Sequence, residues 1–346
     1  MDSVRASTVS LKSYPKTAFD SMLILTDKAT FDEPFRVYQD PIGFFEDNTH
    51  DNLVQAGLVI FGQEPKITTV IVAKTAVNLD IGALMVDMVN LDAVLDVDFF
   101  KVGVISAHTD DQLVELAKFI ETQENMATFF TNNPLVIAID STDLASRLQA
   151  IGIRKSSVWY HKDKRLDMAF TSRFLGEDIG LVSAKFLVLS GIDSSDLSSS
   201  ELSNLEGKNC NVYDRERKKY VMTKQGITPS GENINSVAGE IFVSVTCIEA
   251  TYEVLLNNSK ISFNKFDLKK IRSAIIFKLR RAQKQKIIAE DDAELGAGFL
   301  IAVTPLRAES KIEYDIKYLD AGTLKWVSIK FTSYKDDNQF NIERTA

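Results

Sequence analysis

Histidine and carboxylate side chains at the ends of two predicted strands are the residues of this chain best suited to chemistry. The stretch SSVWYHKDKRLDMAF begins with an apolar run that ends in His161, and Asp163 and Asp167 follow closely. His108 follows another predicted strand in the same way. Ligands and catalytic groups of open α/β sheets lie at such strand ends. An imidazole beside carboxylates there could serve catalysis or hold a metal ion.

The sequence contains none of the partner motifs that such chemistry requires. It has no glycine-rich dinucleotide loop, no phosphate-binding GxxxxGK loop, no HExxH metal motif and no GxSxG nucleophile motif. A single histidine with scattered aspartates in a charged turn is more typical of a solvated strand exit than of a metal site. We therefore predict no catalytic residue, no cofactor and no metal ion. An α/β enzyme that uses His108 and His161 is retained as the least favoured alternative.

Composition narrows the class of protein further. The chain has 346 residues, enough for two or three domains, and a formal net charge of −8. Cys210 and Cys247 have no CxxC motif near them, so the sequence predicts neither a disulfide framework nor a zinc site. No segment reaches the run of about 20 apolar residues that a membrane helix requires. An acidic surface opposes direct binding of nucleic acid. We predict folding in a reducing cytoplasm, with neither membrane nor nucleic acid as a direct partner.

The first half of the chain alternates predicted strands and helices, which is typical of an open α/β layer. One helix should begin at a capping box formed by Thr109 and Gln112, and another should end at Gly152. Strands are predicted at 21–27, 67–76, 100–106 and 156–161, with 134–140 as another strand or the approach to one, and helices at 52–63, 109–123 and 141–152. We assign 18–190 to an open α/β domain, preceded by an extended N-terminal arm at 1–17.

From residue 191 onward the pattern changes. A serine-rich linker at 191–201 precedes the remaining elements of this half, which we assign to an α+β domain at 191–328. A hairpin is predicted at 211–228, helices at 240–258 and 265–288, and strands at 298–306, 311–319 and 324–334. The chain then ends in a C-terminal arm at 329–346.

The second helix of this half concentrates positive charge. Between Lys265 and Lys286 it has nine Lys or Arg residues and one acidic residue. With successive residues about 100° apart, an apolar stripe is formed by Leu268, Ile271, Ile275, Leu279 and Ala282. The opposite face collects Lys269, Lys270, Arg280, Arg281 and Lys284. Phe277 falls among these cations, which have almost no acidic partner one turn away. We favour a docking surface for an acidic partner over an ordinary solvated face.

Both ends of the chain have the alternation of a strand without a local partner. Val327, Ile329 and Phe331 alternate with polar residues near the C-terminus, and Val9 and Leu11 do so near the N-terminus. Lone strands are unstable unless they join a sheet edge in the same or another subunit. Disordered ends are the alternative. Donation of these strands to neighbours would produce head-to-tail contacts and an open helical array.

The order of these elements resembles the contractile tail sheath proteins of bacteriophages, especially their compact sheath-like group. In the first half, SMLILTD, RVYQDPIGFFED, NLVQAGLVIFGQ and PKITTVIVAKTA follow one another in the family's order. In the second half, 201–256 is similar to the family's succession of helix, Asn-Val-Tyr hairpin, return strand and helix. The resemblance spans most of the chain.

The resemblance implies a fold with an open α/β outer domain and an inner α+β domain, and with N- and C-terminal arms exchanged between subunits. It implies a structural, non-enzymatic subunit that polymerises around an inner tube. Contraction would then drive the tube through the host envelope during genome delivery. The basic face of the helix at 265–288 would be directed toward the tube.

The resemblance also implies partners and a location. The partners would be neighbouring sheath subunits, the inner tail tube protein, and the baseplate and tail terminator proteins. The protein would be found in the virion tail, and in the host cytoplasm during assembly. The sheath of a non-viral contractile injection apparatus, or another tube or baseplate component, is the second interpretation.

Overall fold

A large sheet organises the part of the chain that the computed structural model describes, which is 19–75, 99–106, 108–216, 219–292, 296–306, 308 and 311–323. Its strands are β1 (Ser21–Thr26), β2 (Phe35–Tyr38), β3 (Thr69–Lys74), β4 (Lys101–Val104), β5 (Met126–Thr131), β6 (Ser156–Tyr160), β7 (Asn211–Glu216) and β8 (Tyr220–Lys224). They lie in the order β2-β3-β1-β4-β5-β6-β7-β8. The sheet is parallel except for the two edge pairs, β2 with β3 and β7 with β8.

Helices cover both faces of this sheet. They are α1 (Pro41–Asp47), α2 (Asp51–Phe61), α3 (Asp110–Glu121), α4 (Leu144–Ile151), α5 (Leu166–Leu175) and α6 (Ser199–Gly207). Because side chains alternate along a strand, β1 directs Met22 and Ile24 to one core and Leu23 and Leu25 to the other. Helices α2 and α5 belong to the first core, and α3, α4 and α6 to the second. The predicted mixed α/β architecture is thus present.

Local sequence signals specify several helix ends as predicted. The side chain of Thr109 accepts a hydrogen bond from the Gln112 amide, and the Gln112 side chain bonds back to the Thr109 amide, which completes the capping box of α3. Helix α4 ends at Gly152, whose φ of 76° is a left-handed conformation that favours glycine.

The predicted strand at 134–140 is wrong. Pro134–Val136 forms a single 3₁₀ turn, because Pro134 supplies no amide hydrogen and the Asn133 side chain accepts a hydrogen bond from the Leu135 amide. The strand that the sheet requires is β5, immediately upstream, and the prediction had missed it. The loop after the turn leaves Ile139 96% exposed.

The sheet continues beyond the linker predicted at 191–201. The hairpin of β7 and β8 joins it through parallel pairing of Trp159 with Asn211 and of Tyr160 with Val212. The open sheet therefore has two more strands at one edge than the sequence indicated, because it includes a hairpin assigned to the second half. The division of the chain into an outer and an inner domain stays a prediction.

Two long helices and a small sheet complete the fold. Helices α7 (Ile234–Leu256) and α8 (Lys265–Lys284) pack on each other and on the first core. Strands β9 (Phe299–Leu306) and β10 (Lys311–Tyr318) form a separate two-stranded antiparallel sheet. Residues on one face of this small sheet, Phe299, Ile301, Tyr314, Ile316 and Tyr318, pack against the same core. The strand predicted at 324–334 lies outside the described residues.

Candidate functional site

His161 is a structural residue of the turn that follows β6. It is 1% exposed, and its Nδ1 accepts hydrogen bonds from the amides of Asp163 (3.1 Å) and Lys164 (2.9 Å). The proton is therefore on Nε2, which lies 3.0 Å from the carbonyl oxygen of Asp193 and donates to it. Burial lowers the pKa of His161 below its usual value. The neutral ring is used to close the turn, which leaves neither nitrogen for a substrate or a metal ion.

Asp167 and His108, two further polar residues that follow strands, also have contacts within the molecule. Asp167 is 1% exposed and forms an ion pair with Arg165, whose guanidinium also donates to the carbonyl of Val104. At His108, Nδ1 lies 2.7 Å from the carbonyl oxygen of Ser106. No group of three or more His, Cys, Asp or Glu side chains suited to a metal ion occurs among the described residues. These contacts disfavour the enzyme interpretation.

Both cysteines are free and buried. Burial raises the pKa of the Cys210 thiol, and it raises the pKa of the Cys247 thiol to about 12. Thiols held in this protonated form are weak nucleophiles. They pack as small apolar side chains.

Helix α8 has the two faces that the sequence predicts. Ile271, Ile275, Leu279 and Ala282 are at most 2% exposed and fill the first core, whereas Leu268 is half-buried. The helix is anchored to the small sheet, because the Tyr314 hydroxyl donates to the carbonyl of Leu268 at 3.1 Å. The basic face is thus held rigidly outward by a packed apolar face.

Two of the predicted cations have partners within the molecule. Lys270 lies 3.2 Å from Asp267, and Arg280 lies 2.7 Å from Asp291. Arg280 also lies over the ring of Phe299 at 4.9 Å. These two residues therefore help to hold α8 in place.

The remaining cations are available to a partner. Lys269, Arg281 and Lys284 are exposed, and no carboxylate in the described part of the chain lies within ion-pair distance of them. Phe277 is 70% exposed among them. These three positions thus agree with the predicted arrangement of unpaired cations beside an exposed aromatic ring.

An additional exposed aromatic residue was missed by the sequence analysis. Phe266 is 71% exposed at the beginning of α8, and it lies eleven residues before Phe277. Eleven residues are about three helical turns, so the two rings share one line along the helix. Helical spacing from Phe277 could have identified this residue. We define the α8 outer face as Phe266, Lys269, Phe277, Arg281 and Lys284.

The small sheet has open edges. Within the described residues, β9 and β10 pair along their length only with each other. Each strand therefore presents one row of backbone amides and carbonyls to a further strand. The predicted arm residues Val9, Leu11, Val327, Ile329 and Phe331 lie outside the described residues.

Lys101 is a buried ionisable residue that sequence reasoning missed. It is 0% exposed, and its Nζ has no hydrogen-bond partner among the described residues. The amine lies 4.7 Å from the ring centre of Phe170 and 4.5 Å from that of Phe174. A desolvated contact with a ring returns about 2 kcal/mol or more, and burial of an unpaired ammonium costs several kcal/mol. Burial accordingly lowers the pKa of Lys101 to about 7.

No helix in the described ranges is both long and apolar enough to span a membrane. The longest, α7, carries acidic and polar side chains along its length.

The fold of the chain is similar to that of sheath proteins from contractile assemblies. The helical sheath of the anti-feeding prophage (AFP), in its contracted state, matches with a TM-score of 0.64 and 10% identity, over 96% of this chain and 98% of that one. The sheath complex of PVC, an extracellular contractile injection system, matches in its contracted state with a TM-score of 0.64 and 10% identity, over 98% and 99%.

A chain of the AFP baseplate matches with a TM-score of 0.62 and 12% identity, over 96% of this chain and 100% of that one. No protein-family model matches the sequence, and no curated protein does. The likeness therefore concerns the fold, and it extends over nearly the whole of each chain.

Proposed function

We propose that this chain is the structural subunit of a contractile sheath, which polymerises around an inner tube and contracts to drive that tube through a host envelope. The observation that carries the proposal is the likeness of fold to contractile sheath proteins over 96–98% of the chain. A match of that extent includes both the large sheet and the helix α8, which carries the basic face. It is independent of the short sequence phrases that indicated the same family.

The proposal assigns no catalysis to the chain. Work in a contractile sheath comes from a change of packing between subunits rather than from a bound nucleotide. The contacts of His161 and Asp167 favour this role, because the strand ends that an α/β enzyme would use are closed by structural hydrogen bonds.

Exchange of the arms at 1–17 and 329–346 is part of the proposal. The open edges of β9 and β10 are suited to receive a strand from a neighbouring subunit by backbone hydrogen bonding. Val327, Ile329 and Phe331 would direct one face of such a strand to the core, and Val9 and Leu11 would do so in the other arm. Head-to-tail addition of this kind leads to rings or an open helix.

The α8 outer face is proposed to contact the inner tail tube protein. Three exposed cations without an ion pair in the described part of the chain, together with two exposed rings, are suited to an acidic protein surface with room for aromatic side chains. Lys270 and Arg280 would support this contact indirectly, because Asp267 and Asp291 hold them.

Further partners follow from the role of a tail sheath. Baseplate and tail terminator proteins would bind the two ends of the polymer, and the match to an AFP baseplate chain supports the first of these. The protein would be located in the particle tail, after assembly in the host cytoplasm. The first candidate is a bacteriophage tail.

The sheath of a non-viral contractile injection apparatus is the second candidate, favoured by the likeness to the AFP and PVC sheaths. Particles purified from the source organism would separate the two. A DNA-filled capsid attached to the tail indicates a phage, whereas a tail without capsid or DNA indicates an injection apparatus.

The decisive experiment is electron microscopy of the purified protein, alone and with its tube protein. Hollow tubes or stacked rings are expected for the intact chain. A variant that lacks residues 1–15 should remain a folded monomer, with unchanged circular dichroism, and should form no tubes. Uniform small oligomers of the intact chain would contradict the sheath proposal, and normal tubes of the truncated chain would contradict arm exchange alone.

A further inference from the structure

The loop that follows β5 presents apolar side chains to water. Ile139 is 96% exposed and Leu135 is 41% exposed, and Pro134 and Ala138 are exposed beside them. We define these four residues as the loop knob. A contiguous apolar projection of this kind is typical of a surface that contacts another protein.

The backbone beneath the loop knob is held in place. Val136 is fully buried in the second core. Asn204 of α6 donates to the carbonyl of Ile137 at 2.9 Å, and Lys208 donates to the carbonyl of Leu135 at 2.7 Å. A surface that is already ordered loses little conformational entropy on binding. The loop knob is therefore suited to insertion into a matching recess.

A groove elsewhere on the molecule has the size and the lining for such an insertion. Its volume is about 470 Å³, and it lies where the chain beyond α5 meets the segments that follow α8 and β10. Pockets of about 300–1,000 Å³ enclose small ligands, so a groove of this size admits several side chains. We define the end groove by its small and apolar lining residues, which are Gly180, Leu181, Val182, Ile288, Ala289 and Ala321.

The loop knob and the end groove lie at opposite edges of the large sheet. The loop knob follows β5, so it lies at the edge where the parallel strands end. Helix α5 begins at that same edge, after β6, and runs back across the sheet. Beyond its end, Gly176 lies close to the carbonyl of Pro65, just before β3, and Gly180 lies close to the carbonyl of Gln285. The loop knob therefore cannot reach the end groove of its own chain.

Charged side chains flank both surfaces. Asp140 adjoins the loop knob, and Lys286 and Glu290 are exposed residues that line the end groove. None of the three has an ion pair in the described part of the chain. Lys286 would attract the Asp140 carboxylate of another molecule, and Glu290 would repel it.

We propose that the loop knob of one subunit inserts into the end groove of a second copy of this chain, with Asp140 opposite Lys286. The inference rests on the proposed sheath function, because it supplies a contact between subunits of the polymer. Each subunit that joins leaves one knob and one groove unfilled, so repetition of the contact produces an open head-to-tail array. The contact is made by folded parts of the chain and is separate from exchange of the arms.

Cross-linking of the full chain tests this contact. One preparation carries Ile139→Cys and another carries Leu181→Cys, and the two are mixed and treated with a short bismaleimide. The native Cys210 and Cys247 are buried, so they should react little. A cross-linked dimer is expected in the mixture but not in either preparation alone, because each supplies only one side of the contact. A chain with both changes should give a ladder that extends beyond the dimer.

Leu256→Cys provides the matched control for the groove position. Helix α7 begins beside the end groove, where the Asn235 side chain donates to the carbonyl of Val182. Leu256 is 83% exposed and lies 21 residues further along this helix, about 30 Å away. A mixture of Ile139→Cys with Leu256→Cys should therefore give no dimer.

Charge changes beside Leu181→Cys sharpen the test. At low salt, Lys286→Glu should lower the yield of mixed dimer several-fold, and Glu290→Gln should raise it. A mixture of Ile139→Cys and Leu181→Cys that gives no dimer, or no more dimer than the Leu256→Cys control, would overturn the inference. If the unaltered chain still forms hollow tubes, the sheath function stands without this contact. Mixed dimers from a chain that forms no tubes would instead support the contact and contradict the sheath function.

Discussion

The interior of the large sheet and the α8 outer face hold ionisable side chains in opposite ways. Beside the sheet, Asp143 and Lys208 lie 2.8 Å apart with side chains 0% and 10% exposed, and Lys101 is buried without a hydrogen-bond partner among the described residues. On α8, Lys269 and Arg281 are exposed, with no ion pair in the described part of the chain.

This difference separates groups that stabilise the fold from groups that are free to bind. Removal of one member of a buried pair leaves an uncompensated charge, which costs stability. An exposed cation contributes little to folding, because water and salt screen it. The same cation remains available to an acidic protein. We therefore expect changes inside the sheet to affect unfolding, and changes on the α8 outer face to affect assembly.

The largest effect on stability is expected from Asp143→Ala. This change removes the N-cap of α4 and leaves the Lys208 ammonium buried without its carboxylate. The free energy of unfolding should fall by about 3–5 kcal/mol, measured by urea denaturation. Glu253→Ala is the matched control, because it removes an exposed carboxylate that pairs with Lys278 on α8. Equal losses in the two variants would contradict the distinction between the regions.

A smaller, pH-dependent effect is expected at His161. Burial lowers the pKa of His161 in the folded state, so the unfolded chain binds the proton more tightly. Stability should therefore fall as the pH decreases below about 6.5, where a solvated histidine becomes protonated. His161→Asn should be less stable than the unaltered protein at pH 7.5, and should lose less stability between pH 7.5 and pH 5.

His50→Asn serves as the control for this prediction. His50 is exposed and caps α2 through its ring, and asparagine can cap a helix in the same way. Its unfolding midpoint should follow that of the unaltered protein at both pH values. An unchanged acid response in His161→Asn would show that the buried ring is not its source.

On the α8 outer face, charge reversal should affect binding rather than folding. A variant with Lys269→Glu, Arg281→Glu and Lys284→Glu should unfold at nearly the same urea concentration as the unaltered protein. It should fail to co-sediment with tubes of the partner protein at low salt. The unaltered protein should lose this binding as salt is added, because ions screen the attraction.

Three exposed lysines elsewhere provide a matched control for charge. Lys66→Glu, Lys118→Glu and Lys162→Glu together change the net charge by the same amount, and all three residues lie outside α8. This variant should still co-sediment with the tube. Equal loss of binding in both triple variants would mean that net charge, rather than the α8 outer face, governs the contact.

The smallest effect on stability is expected from Phe277→Ser. The ring is 70% exposed, so the change in the free energy of unfolding should stay within about 0.5 kcal/mol. Tube binding should weaken, because an exposed aromatic residue among cations is typical of a binding hot spot. Val188→Ser, at an equally exposed position outside α8, should change neither property.

Much of the fold could be predicted from sequence because its signals are local. The capping box at Thr109, the glycine end at Gly152 and the apolar stripe of α8 depend on residues a few positions apart. The strand predicted at 134–140 is wrong because an apolar run does not by itself distinguish a strand from a turn. Asn133 and Pro134 decide that case.

The candidate binding surface was predicted in part. Exposure of Lys269, Phe277, Arg281 and Lys284 follows from helical periodicity. The acidic partners of Lys270 and Arg280 were not predicted, although Asp267 is only three residues from Lys270.

The sequence by itself determined several helix ends and which face of α8 is apolar, because these depend on near neighbours. Only the tertiary structure decided the strand order, which pairs Trp159 with Asn211. It also decided which polar side chains are buried and which groups they contact. His161 became a turn-closing group through contact with Asp193, 32 residues away. Lys101 is buried against the rings of Phe170 and Phe174, about 70 residues further along the chain. Burial depends on the whole packed arrangement, which no short stretch of sequence contains.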